Sequence, residues 1–485
     1  MFDEPTTPGW APPPPPRPRH GVAIAALAIA LVVALGGGAA GWFAWHRARD
    51  DANDLRRTEA QRSAPSATTT TTPTTTTAPS DNPLGALGDF GNLLGGNAAQ
   101  LAECFAGDVG SLLGGNRVTL PNDSARTQYD AIVTWVQRDR KLTFKKVPTP
   151  VYVNAAEMAR RVRAQILHDY TQAKAQKDEA LLVALGVIAP GTNLREEYSK
   201  FVGGQVAGYY DPATGDMVIL GNADRPLDTN ELTTVAHELE HALADQQLGL
   251  PKAAEATSAQ GSDAQLAATS LVEGDATFTM TEFQLQALDI GGLLSLGGGD
   301  VSGQLQALND APHYLASELL FPYTEGLGFV CGLHTDGGWS AVDRAYKKPP
   351  TTTAQIMFHD RYTNGERAQR PPAPSSPGAD WRKVRTETFG AADLMFLFEA
   401  PGNDTSKALS NPRDRAAAWA GGTITQWARK SSTAVTVSLV EHQHSGPSLC
   451  DSMRAWATAT PPASGNSSHT VQCSGADVRV VLASG

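Results

Sequence analysis

The stretch TTVAHELEHALADQQ, Thr233 to Gln247, carries two histidines four residues apart with a glutamate directly after the first. Wound as a helix at about 100° per residue, Leu232, Val235, Leu239, Ala242, Leu243 and Gln246 fall within one arc of roughly 100°, which is expected to face the core. His237 and His241 lie one turn apart near the opposite side with Asp245, and Glu238 sits on their flank. That placement suits a solvated polar face or a metal site better than a core, and the HExxH pattern favours the metal. Two imidazoles at i and i+4 can ligate one Zn²⁺ from a single helix at about 2.0–2.1 Å. The intervening Glu238 is then placed to act as general base on a water that the metal activates. Asp228 with Glu231 predicts a capping box at the helix start, and LGLP, Leu248 to Pro251, predicts the stop.

A catalytic zinc needs a third protein ligand. The metzincin solution would put Gly and His three and six residues after His241, where this chain has Ala244 and Gln247. A carboxylate on a later helix is the alternative, and SLVEGDATF supplies Glu273 and Asp275. As helix residues these two point about 160° apart, so one regular helix cannot aim both at one ion. Glu273 shares its face with Thr269, Ser270, Thr277 and Thr281, small polar residues that permit close approach to the histidine helix. Asp275 lies among Ala268, Leu271 and Glu282. Glu273 is therefore the expected ligand. Tyr323, in FPYTEGLG, is the expected stabiliser of the developing oxyanion, with His313 as second choice.

AHELEHALADQQ followed by LVEGDAT resembles the membrane-anchored bacterial gluzincin metallopeptidases, and the likeness extends from VAGYYDP through FPYTEGLGFV and PPTTTAQI, across most of Leu120 to Tyr362. The resemblance implies an α+β, zincin-like, two-lobed peptidase domain with one zinc ion in the cleft. His237, His241 and Glu273 would be its ligands and Glu238 the base. Two positions depart from the family pattern. Thr277 stands where an Asp would orient a histidine, with Asp245 or Asp275 as the available substitutes, and Ala354 stands where PPxSTEQ has an acid.

The 485-residue chain has a formal net charge of −11, only 18% charged residues and no block of Lys or Arg, which argues against a nucleic-acid partner. Gly21 to Trp42 is uncharged and as a helix would span roughly 33 Å, enough for a bilayer core. A cleaved signal peptide is the competing reading, but the Pro-rich lead is long for an n-region and favours an anchor. APSATTTTTPTTTTAPSDNP, Ala64 to Pro83, has nothing to bury and reads as an extended stalk. Cys104, Cys331, Cys450 and Cys473 contain no CxxC pair and suit two disulfides in an oxidising compartment. Cys450 with Cys473, close in the chain, is the favoured pair, which leaves Cys104 with Cys331.

The expected organisation is a Pro-rich cytoplasmic tail (1–20), a transmembrane helix (21–45), a Thr/Pro- and Gly/Leu-rich stalk (46–119), the zinc metallopeptidase domain (120–370) and a small α+β C-terminal region (371–485). QYDAIVTWVQRDR and AAEMARRVRAQILHDYTQAKAQ read as helices, VPTPVYV as a strand, and VAGYYDPATGDMVIL as strand, turn, strand. One of these strands is expected beside the cleft, where an extended peptide could pair with its edge. His442 and His444 would share a strand face near the surface. The function expected is cleavage of a peptide or protein substrate by a single-pass cell-membrane protein with an extracytoplasmic catalytic domain. An inactive envelope scaffold and a zinc amidase acting on the cell envelope are the rivals. Reporter fusions after Pro83 should be active only outside the cytoplasm; a fusion active only inside would reverse the orientation.

Overall fold

The computed structural model describes residues 98–105, 118–203, 206–212, 214–251, 262–288, 310–374, 376–442, 444–460 and 468–483. The expected tail, the transmembrane helix, stalk residues 46–97 and 106–117, and the Gly/Leu run at 291–300 lie outside them. Among the described residues no helix is long and apolar enough to cross a membrane.

Helix α1 (Ala98–Cys104) buries Leu101 in the core together with the adjoining Phe105, and its Cys104 sulfur lies at disulfide distance from Cys331. The expectation that all of 46–119 is stalk is thereby corrected: the packed core begins before Leu120. Helix α2 (Ala125–Arg140) starts at Ser124, whose side chain accepts from the Thr127 N–H. Strand β1 (Thr149–Val153) follows, then α3 (Ala155–Asp169) and α4 (Gln172–Leu185), where a single helical run was expected. The break comes at Thr171, which leaves helical geometry and caps α4 through the Lys174 N–H, as a hydroxyl competing with the backbone ladder does. After α5 (Leu194–Gly203), β2 (Gly208–Asp211) and β3 (Asp216–Leu220) form the expected antiparallel pair. Strand β1 joins β3 in parallel, so the order is β1-β3-β2 and β2 is an edge.

Helix α6 (Thr229–Gln247) carries the histidines. Its capping box forms as expected, with the Glu231 N–H donating to Asp228 and the Asp228 N–H to Glu231. The predicted arc packs inward: Leu232, Val235, Leu239, Ala242 and Leu243 join Tyr129, Ile132 and Val136 of α2 and Met217 and Ile219 of β3 in one apolar cluster. The opposite face is buried too, because the next helix covers it, and every residue from Glu231 to Ala244 is out of solvent.

That covering helix is α7 (Ser262–Ala287), which packs in turn on α8 (His313–Gly337). The α7–α8 contact is made backbone to backbone. A Cβ on Gly274 would overlap the Gly326 carbonyl, and one on Gly326 the Ser270 carbonyl. Three short helices, α9 (Trp339–Lys347), α10 (Thr353–Met357) and α11 (His359–Thr363), close this region.

The remainder is the expected α+β unit. Strand β4 (Arg382–Thr388), α12 (Ala391–Glu399), α13 (Pro412–Ala416), β5 (Trp419–Arg429), β6 (Ser432–Glu441), α14 (Leu449–Ala459), β7 (Ser468–Ser474) and β8 (Asp477–Ala483) build an antiparallel sheet of order β4-β5-β6-β8-β7 with its helices. Cys450 and Cys473 lie at disulfide distance and tie α14 to β7. One apolar core runs from Leu101 through α7, α8 and α12 to Leu482, so this unit shares its interior with the histidine region. His442 falls just beyond β6 and His444 lies in the turn that follows, so the two do not share a strand face. Replacing Gly326 by Ala forces α8 away from α7 and should cost about 1–3 kcal/mol, read as a lower urea midpoint; an unchanged midpoint would show that the close approach carries no stability.

Candidate metal centre

His237 Nε2 and His241 Nε2 lie 3.0 Å apart, and each is 3.3 Å from Glu273 Oε2. The one-turn spacing on α6 sets the two rings edge to face, and the neighbouring α7 brings the carboxylate to the same point. All three side chains are buried. Among the described residues this is the one group of His, Cys, Asp or Glu whose ligand atoms cluster in this way. Tetrahedral Zn²⁺ with bonds of about 2.0–2.1 Å keeps its ligand atoms about 3.3–3.4 Å apart, so the observed triangle fits such an ion closely.

The electrostatics agree with that fit. Burial opposes a charge on Glu273, yet the facing His241 holds its pKa down at about 2. Burial likewise opposes a charge on His241, but Glu273, followed by Glu238, raises it to about 9. His237 is pulled below its usual range, first by burial. Two imidazole nitrogens and a carboxylate oxygen thus converge on one buried point, and the Glu273 Oε2 makes no well-aligned hydrogen bond of its own.

Glu238 is fully buried and stands outside the triangle. Its Oε2 accepts the Tyr210 N–H at 2.9 Å, while Oε1 is buried with no partner. Burial, reinforced by the Glu273 charge, pushes its pKa up to about 8 against the opposing effects of His241 and the Tyr210 N–H. Tyr210 belongs to edge strand β2, so the expected strand does border Glu238.

Tyr323 is buried with its ring centroid 6.4 Å from that of His237. Burial, with the charges of Glu273 and Glu238 behind it, holds the phenol well above its ordinary range, so it remains an O–H donor. The Gly274–Gly326 contact explains its position, since these glycines lie next to Glu273 and one turn after Tyr323. His313 does not reach the site. It lies about 15 Å back along α8 and its Nε2 contacts Glu399 and Ser317.

The two aspartates considered as partners for a histidine are engaged elsewhere. Asp245 accepts from the Tyr210 hydroxyl at 3.2 Å, and Asp275 meets Arg140 and the Tyr346 hydroxyl. His237 Nδ1 and the Thr277 hydroxyl are both buried without a hydrogen-bond partner. PPTTTAQI runs through the Thr352 N-cap into α10, whose Thr353 N–H donates to Asp263 at the start of α7 at 3.1 Å, and Ala354 sits in the apolar core. Sequence reasoning missed Arg140, Glu240 and Tyr346. None of the three carried a local signal, because their contacts join segments far apart in the chain.

Compared with models of protein families, with curated proteins and with solved structures, the chain finds no match.

Proposed function

We propose that this chain is a zinc-dependent peptidase of the gluzincin type, with a zincin-like catalytic domain held outside the cytoplasm by one N-terminal membrane helix. The observation that carries the reading is the meeting of His237, His241 and Glu273 at one point, with a buried, unligated Glu238 beside them. Two cysteine pairs at disulfide distance support an oxidising compartment.

His237, His241 and Glu273 would hold the ion. When bound, Zn²⁺ supplies Lewis acidity, polarising a carbonyl and making water acidic near neutral pH. Glu238 takes a proton from the attacking water and returns it to the leaving amine. A carboxyl raised toward neutrality suits both halves of that cycle. The Tyr210 N–H fixes one carboxylate oxygen of Glu238 and leaves the other for the proton. Tyr323 donates its hydroxyl proton in a hydrogen bond to the carbonyl oxygen as charge develops there. The edge of β2 offers backbone groups to an extended peptide substrate.

Two substitutions separate base from ligand. Glu238→Gln should keep one zinc per chain while peptide cleavage falls by roughly 100-fold or more. Glu273→Gln exchanges an anionic ligand for a weak neutral one and should lose both zinc and cleavage. Metal analysis beside a peptide digest reads both; cleavage by Glu238→Gln at the parent rate would make the mechanism wrong.

A further inference from the structure

Arg140, the last residue of α2, is fully buried and touches both helices of the candidate metal centre. Its Nε donates to Glu240 Oε1 at 2.7 Å, and its Nη2 donates to Asp275 Oδ2 at 3.1 Å and to Asp343 Oδ1 at 3.2 Å. The guanidinium lies 4.0 Å over the Trp339 ring, and the Tyr346 hydroxyl donates to the same Asp275 oxygen at 2.9 Å. Glu240 directly precedes His241, and Asp275 comes two residues after Glu273.

We infer that Arg140 is a positioning residue that locks the His237/His241 helix in rotation and register against the Glu273 helix. The inference rests on the reading of those three residues as metal ligands.

Stability alone does not account for the arrangement. Burying one guanidinium among three carboxylates is costly, and well-packed apolar residues often serve a fold as well or better. Directional control is what the planar fork adds. Asp275 projects from α7 about 160° away from Glu273, and Glu240 projects from α6 about 100° away from His241. Arg140 therefore grips each helix at a second point around its axis. A rotation of about 10° would swing a side-chain tip by about 1 Å, enough to spoil a triangle whose sides are 3.0–3.3 Å, and it would break the Arg140 bonds.

The test measures zinc affinity of the full-length protein in detergent by competition with a chromophoric chelator, alongside thermal melting. Arg140→Lys keeps the charge but cannot span both carboxylates, and it should bind zinc about 10-fold more weakly. The triple variant Arg140→Met/Glu240→Leu/Asp275→Asn removes the buried charges together. It should melt within a few degrees of the parent yet lose about 10- to 100-fold in zinc affinity, the range expected when outer partners of ligands are removed. Zinc binding within about twofold of the parent in Arg140→Lys would overturn the inference, whether or not the triple variant folds. A parent that binds no zinc would instead refute the metal reading, which separates the two failures.

Discussion

Two imidazole nitrogens from one helix and a carboxylate oxygen from another can meet within 3.3 Å only if those helices lie side by side with no large residue between them, and that requirement governs the histidine region. It explains the small polar face of α7, where Ser270, Glu273 and Thr277 face inward. The same economy of size recurs where α7 meets α8, at Gly274 and Gly326, and there it brings α8 close enough for Tyr323 to approach Glu273 and His237. The apolar side of α6 is committed to α2 and the three-stranded sheet, which puts edge strand β2 against Glu238.

The cost of that packing is charge without water. Glu238, Glu240, Glu273 and Asp275 are all buried, with Arg140 the one fully buried guanidinium among them. These four acids bear it in three ways. Glu273 leans on imidazoles, Glu240 and Asp275 on Arg140, and Glu238 on a single backbone N–H, against which burial still raises its carboxyl to about 8. A buried carboxyl perturbed in this way marks a candidate functional position.

Much of the site was legible because its information is local. HELEH fixes two rings on one helix face, helical phase alone separates Glu273 from Asp275, and Asp228 with Glu231 announces the helix start. The cysteine pairs followed from spacing and elimination. What the sequence could not convey was non-local. Arg140 lies 100 residues from Glu240 and 135 from Asp275, and no periodicity links them. The burial of both faces of α6 depends on a second helix that periodicity treats separately, and His313 was drawn toward the site only by its residue type. Thr171 splits α3 from α4 through a side-chain cap that a continuous apolar pattern conceals.

The most direct test of the central claim is diffraction from zinc-loaded crystals recorded on both sides of the zinc absorption edge. A single anomalous peak should lie about 2.0–2.1 Å from His237 Nε2, His241 Nε2 and a Glu273 oxygen, with Glu238 outside bonding distance. A peak at any other set of side chains, or none at this triangle with zinc in excess, would contradict the account.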